Sequence, residues 1–193
     1  IDMSAKQYDM GWETARKTID LIFQSPSDDI KIEYQGGEPL LNWDIVKESI
    51  LYSKFVNKIA RKNLSFVICT NLMQISKEQI DFFKKHSIEI STSLDGPKQL
   101  HDTNRKSRIF ESSYDKFIEN SKLINDCAPL LTITKTNINK LRSVIDTYVK
   151  LGYNTIFLRA LNPYGNAVKN KAELDYSTEE FISAYKDALQ YII

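Results

Sequence analysis

The sequence predicts an α/β fold built on a parallel sheet, and three observations carry that expectation. Five short runs rich in β-branched and aromatic residues recur along the chain, helical stripes lie between them, and the connections are short. Strand, helix, strand at this spacing demands crossover connections, which make neighbouring strands parallel and the crossovers right-handed.

The first run, "IKIEYQ", alternates: Ile30, Ile32 and Tyr34 share one face, Lys31, Glu33 and Gln35 the other. With "LSFVICT", "EISTSL", "LLTIT" and "TIFLR" it sets the expected strands at about 30–35, 64–70, 89–94, 130–134 and 155–159. Between them, Trp12, Ala15, Ile19 and Ile22 recur at helical spacing, as do Ile45, Tyr52, Val56 and Ile59, and later Leu141, Ile145 and Tyr148. Ser76 with Gln79, and Ser177 with Glu180, carry the pattern of a capping box, each flanked by a hydrophobic staple pair, Ile75 with Ile80 and Tyr176 with Phe181. Leu161 to Asp175, with Pro163 and Gly165, reads as the longest loop.

A doubly wound sheet and a (β/α) barrel both fit this order. The polar second face of the first strand favours the barrel, because a sheet between two helix layers needs apolar residues on both sides. No linker or repeat divides residues 1–193, which read as one domain.

Bulk composition excludes more than it selects. Twenty-six basic against 25 acidic residues leave a net charge of +1 with no basic block, which argues against a nucleic-acid partner. Apolar runs such as "FVIC" fall far short of the roughly 20 residues of a membrane span, so no membrane partner and a cytoplasmic location are expected. Cys69 in a strand reads as a small buried residue and Cys127 as a loop residue, both reduced.

In parallel α/β folds, ligands meet the carboxyl ends of the strands. The first strand ends in Gln35-Gly36-Gly37-Glu38-Pro39, where glycines let backbone approach a ligand and Glu38 accepts hydrogen bonds from an ammonium or hydroxyl; an ordinary turn with a solvated Glu38 explains the residues equally well. Thr70 and Asn71 end the second strand. Ser91, Ser93 and Asp95 share a face at the end of the third, followed by Gly96-Pro97, His101, Asp102 and Arg105, an arginine able to clamp a carboxylate. His101 reads as an exposed loop residue, and His86 as a helix-end residue favoured by the dipole. Lys135, Asn137, Arg159 and Tyr164 add polar groups after the fourth and fifth strands.

Taken together, "QGGEPLL", "TN" and "SLDGPKQLHDTNR", in this order over nearly the whole chain, resemble the radical S-adenosylmethionine superfamily, in its peptide- and protein-modifying, sulfatase-maturase-like branch. "CTNLMQIS" and "LGYNTIFLRALNPYGNAV" look most like the maturase of the His-Xaa-Ser system. The resemblance implies an incomplete (β/α)6 partial TIM barrel and two cofactors, S-adenosylmethionine and a 4Fe-4S cluster. It also implies chemistry on a peptide or protein substrate through a 5′-deoxyadenosyl radical, with an electron donor such as flavodoxin or ferredoxin. It assigns Gly36, Gly37 and Glu38 to the cofactor's methionine amino group, Ser93 and Arg105 to its carboxylate or ribose, Thr70 and Asn71 to the neighbouring wall, and the backbone near Leu158 to adenine, with Pro39 and Asp95 also among the cofactor-binding residues. Gln35 and Arg159 would face the substrate.

Two departures stand out. Leu72 replaces the family's glycine after Thr-Asn, and the CxxxCxxC motif that holds the cluster is absent, so the chain reads as a piece of a longer enzyme, without its first strand and inactive by itself. A nucleoside- or peptide-binding barrel without chemistry, and a (β/α)8 lyase or aldolase using Lys135, are the alternatives.

Overall fold

The computed structural model describes residues 8–124, 127–162, 164 and 166–193. Its strands are hydrogen-bonded in sequence order: β1 (Asp29–Tyr34), β2 (Asn63–Cys69), β3 (Glu89–Ser93), β4 (Cys127–Thr132) and β5 (Phe157–Arg159). Pairing is parallel, with Ile30 opposite Leu64, Ile68 opposite Ile90 and Leu131 opposite Leu158. β4 begins at Cys127, so that thiol is a buried strand residue beside the Tyr153 hydroxyl at 3.6 Å, where a loop position was expected.

The chain divides into two units between Ser91 and Thr92. In the first, α1 (Trp12–Ile22), α2 (Trp43–Ala60) and α3 (Lys77–His86) accompany β1 and β2. β1 alternates as expected, with Ile30 and Ile32 buried and Lys31 and Glu33 exposed. Ile19, Ile50, Phe66, Ile68 and Phe83 are buried with them, each stabilising the fold by about 1.5–3 kcal/mol.

The α2 stripe is displaced from its expected place. Val46, Ser49, Ile50 and Ser53 are buried, whereas Ile59 is 84% exposed. Two of the inward residues are serines, whose hydroxyls donate to Ile45 O and Ser49 O at 2.7 Å. Satisfying a hydroxyl on the preceding turn lets it be buried, and an apolar pattern does not register it.

The second unit holds α4 (Lys98–Asn104), α5 (Ser113–Ser121), α6 (Leu141–Lys150), α7 (Asn166–Lys169), α8 (Lys171–Leu174) and α9 (Thr178–Ile192). Leu94, Phe117, Leu131, Ile133, Val144 and Tyr148 form its deepest core, and Tyr148 donates its hydroxyl to Leu94 O at 2.7 Å. Gly96 has φ +119°, and a Cβ there would stand 2.8 Å from Val144 Cγ2, so both backbone and packing require glycine.

Both expected capping boxes form, Ser76 with Gln79 at α3 and Ser177 with Glu180 at α9. The segment expected as one long loop instead carries α7 and α8, with Lys135 N–H bonded to Leu174 O at 3.0 Å. Pro163 and Gly165 lie outside the described residues. Among the described residues no helix is long and apolar enough to cross a membrane.

Candidate functional site

The first unit's strand ends are tied together by one carboxylate. The chain leaves β1 through Gln35 to Glu38 and enters a 3-10 turn, Pro39–Asn42. Glu38 Oε1 accepts from Leu40 N–H at 3.1 Å, capping the turn, and Oε2 accepts from Asn71 N–H at 2.8 Å, just past the end of β2. Pro39 at the first helical position gives up an N–H that has no helical partner there. Glu38 is therefore a bridge between two loops, more than the solvated acid of a plain turn.

Gly36 is not in the left-handed region, and nothing lies within 4 Å of where its Cβ would stand. Neither backbone strain nor packing within the protein calls for glycine there. Residues 35–39 also border a cavity of about 450 Å³ beside β1.

Thr70 and Asn71 shape the second loop. Thr70 Oγ1 accepts from Leu72 N–H at 3.2 Å and Asn71 Oδ1 from Met73 N–H at 2.8 Å, two local turn bonds. Leu72 stands at φ +55°, the conformation glycine adopts freely, yet its side chain is fully buried. Leucine at this place trades backbone strain of about 1–2 kcal/mol for the burial of a large apolar group.

On the polar face of β1, Glu33 Oε1 accepts from Gln35 Nε2 at 2.5 Å and from the Cys69 thiol at 2.9 Å. Cys69 is thus a half-exposed donor on the polar face, where a buried apolar residue was expected. Lys31 pairs with Glu89 at 3.4 Å. His86 contacts Lys54 Nζ through Nδ1 at 3.1 Å, and burial, then Lys54 and Lys85, push its pKa down. His86 stands in the last turn of α3 with Lys84 and Lys85, at the helix end where the sequence placed it.

In the second unit, Asp95 is 3% exposed and receives Arg105 twice, from Nε at 2.8 Å and Nη2 at 3.2 Å. The arginine clamps a carboxylate as its position suggested, and the carboxylate is the protein's own. Asp95 N–H donates to His101 Nδ1 at 3.2 Å. His101 is a buried residue of α4, 3% exposed, not an exposed loop residue, and burial pushes its pKa down to about 4. The turn at Gly96-Pro97 was the available signal, since proline favours a helix start and puts His101 on that helix's inner side.

Asp102 accepts from the Ser112 and Ser113 hydroxyls and Tyr114 N–H, and so anchors the start of α5. Asn137, fully buried, is a latch between Thr134 N–H and Thr132 O. Ser93 and Leu158 are half-buried, whereas Lys135, Arg159 and Tyr164 are exposed.

No family model matches the chain. It is 32% identical over 106 residues to the cysteine-type anaerobic sulfatase-maturating enzyme of Clostridium novyi, a match covering 53% of this chain and 28% of that enzyme. It is 26% identical over 85 residues to the radical SAM cyclopropyl synthase TigE of Paramaledivibacter caminithermalis, covering 44% of this chain and 17% of TigE. An uncharacterized protein of Methanothermobacter thermautotrophicus is 24% identical over 160 residues, covering 80% of this chain and 58% of that one. Among solved structures, native anSMEcpe with bound AdoMet and the Kp18Cys peptide superposes with a TM-score of 0.82 at 17% identity, over 94% of this chain and 51% of that one.

The chain is similar to radical S-adenosylmethionine maturases.

Its fold is the partial (β/α) barrel of the solved maturase structures, and the chain spans about half the length of those it matches. The residues of the Gly36 to Glu38 loop lie open beside Gly36 and are tied to the next strand end by a carboxylate. The residues of this chain do not fit the 4Fe-4S cluster that the resemblance implies: the sequence holds two cysteines, one in each unit, and no group of three metal-ligating side chains exists among the described residues.

Two measurements check this geometry. Leu72→Gly releases the backbone strain that Leu72→Ala retains, so urea denaturation is expected to find the glycine variant no less stable than the alanine one, the reverse of the usual order; a glycine variant about 1 kcal/mol weaker contradicts the strain. His101 takes a proton near pH 6.5 when unfolded but only near 4 when folded, so its share of stability is full above 6.5 and is lost as pH falls through that window. The loss approaches about 3 kcal/mol, and His101→Gln is expected to flatten the stability profile between pH 6.5 and 4; parallel profiles contradict it.

Proposed function

We propose that these residues are the S-adenosylmethionine-binding part of a radical maturase that modifies a peptide or protein substrate. The observation that carries the reading is the Glu38 bridge beside the open flank of Gly36, in a chain similar to sulfatase-maturating enzymes. In this reading Gly36 and Gly37 let the backbone lie close to the methionine ammonium, and Glu38 and Pro39 fix the loop. Thr70 and Asn71 form the neighbouring wall.

In the second unit, Ser93 and Arg105 serve the cofactor's carboxylate or ribose and Leu158 its adenine. Asp95 acts through Arg105, whose guanidinium it orients. Gln35 and Arg159 face the substrate. Bound in the whole protein, S-adenosylmethionine would supply the radical chemistry, and this chain's residues would bind it, orient it and exclude water. The segments "CTNLMQIS" and "LGYNTIFLRALNPYGNAV" support the finer proposal of a His-Xaa-Ser-system maturase, served by a flavodoxin- or ferredoxin-like electron donor.

A barrel that binds a nucleoside or peptide without chemistry is the second reading, for which the cavity of about 450 Å³ beside β1 offers room. Lys135 is exposed, which gives an aldolase little support. Anaerobic reconstitution of the whole protein with iron, sulfide and a reductant decides between the first two. The maturase reading expects 5′-deoxyadenosine from the whole protein and none from residues 1–193 alone. A whole protein that takes up iron without cleaving S-adenosylmethionine contradicts it.

A further inference from the structure

We infer that the outer face of α2 docks a second protein through an amphipathic helix that is apolar along one stripe and acidic at one end. The side chains of α2 are distributed in the reverse of what an outer-layer helix needs. Ser49 and Ser53 are buried, whereas Leu51, Phe55 and Ile59, spaced one turn apart, are 43%, 61% and 84% exposed. Packing within this chain therefore gives the three large apolar residues no reason to be there. Single apolar residues on a surface are ordinary, but three along one helix make a contiguous patch of the kind that marks an interaction site. Phe55 is also held ready: its ring stacks on that of Tyr52 at 6.5 Å between centroids, and Tyr52 donates its hydroxyl to Asp20 Oδ1 at 2.7 Å. An anchor ordered in advance loses little freedom when a partner covers it.

The charges beside the stripe select the partner. Lys47 pairs with Glu78 at 2.6 Å and Lys62 lies 3.9 Å from Asp28, but among the described residues no carboxylate pairs with Lys54, Lys58 or Arg61. Lys54 Nζ meets His86 Nδ1 at 3.1 Å, a contact that brings no negative charge and sets the last turn of α3, with Lys84 and Lys85, alongside. The end of the stripe at Phe55 and Ile59 is thus cationic. At its other end the exposed Glu48 and Asp44 continue the same face at three- and four-residue steps from Leu51. An anionic membrane would have to meet those two carboxylates as well as the lysines. A second copy would bring cations together in either direction: parallel pairing sets the cationic ends side by side, and antiparallel pairing sets the flank of Lys47, Lys54 and Lys58 against itself. A helix with glutamates facing Lys54, Lys58 and Arg61 and a basic residue facing Asp44 and Glu48 matches both ends, and apolar residues at every third and fourth position cover the stripe. Because β2 begins at Asn63, just past the end of α2, the cationic end lies about 20 Å along the strand from Thr70 and Asn71. A partner seated there leaves the candidate site open.

The test titrates a fluorescein-labelled synthetic helix of about five turns into the whole protein and follows anisotropy. Leucine recurs in it at every third and fourth residue, with glutamates in the first two turns and lysines in the last two; the control carries glutamine in place of each glutamate. The acidic peptide is expected to bind roughly three- to tenfold more tightly than the control, with the gap closing as salt rises. Lys58→Gln combined with Arg61→Gln should remove the gap, and Phe55→Gln should weaken both peptides about tenfold. Ile59→Gln, at the most exposed of the three positions, repeats the second comparison should Phe55→Gln lower stability. Absence of saturable binding, equal affinity for the two peptides, or binding that neither Phe55→Gln nor Ile59→Gln weakens overturns the inference. Co-sedimentation with phosphatidylserine vesicles, and the oligomeric state by sedimentation equilibrium, are measured on the same proteins. Vesicle binding or self-association that Phe55→Gln abolishes would assign the face to a membrane or to a second copy, and overturns the inference as well.

Discussion

The first unit depends on where one carboxylate is placed. Glu38 starts a turn with one oxygen and holds the backbone after the neighbouring strand with the other, so the loops after β1 and β2 form a single surface. A parallel sheet aligns its strand ends but does not fix the loops beyond them, and a hydrogen bond to a charged acceptor is among the stronger ones available for that purpose. The open flank of Gly36, the local turns of Thr70 and Asn71, and the strained Leu72 all lie in the two segments that this bridge joins.

The second unit solves a similar problem with a buried pair. Asp95 carries its charge at 3% exposure because Arg105 meets it in a fork, and the adjacent backbone N–H is satisfied by a histidine that burial keeps neutral. Removing either partner would leave an uncompensated charge, which costs far more than the pair contributes. Both units thus commit charged groups to holding strand-end loops, and the residues assigned to a ligand stand beside those groups.

The fold was legible because its signals are periodic. Five alternating or apolar runs, two capping boxes and the polar face of β1 follow from spacing alone. The α2 stripe was misread because Ser49 and Ser53 bury hydroxyls bonded to their own helix, which an apolar pattern cannot report. The site was legible only in part. Gly36 to Glu38 are recognisable as residues, but whether Glu38 is solvated or a bridge depends on Asn71, 33 residues away. Cys69 and His101 were misplaced for a similar reason, since each takes its character from a partner that is not its sequence neighbour, Glu33 for one and the Asp95 N–H for the other.

The central claim is that the Gly36–Glu38 loop receives the methionine ammonium of S-adenosylmethionine. Its most direct measure is the affinity of the whole protein for S-adenosylmethionine against an analogue lacking the α-amino group, for the unmodified chain and for Glu38→Gln. The account expects the amino group to be worth about tenfold in the unmodified protein, some 1.4 kcal/mol, and clearly less in the variant. Equal affinities for the two compounds in the unmodified protein would contradict it.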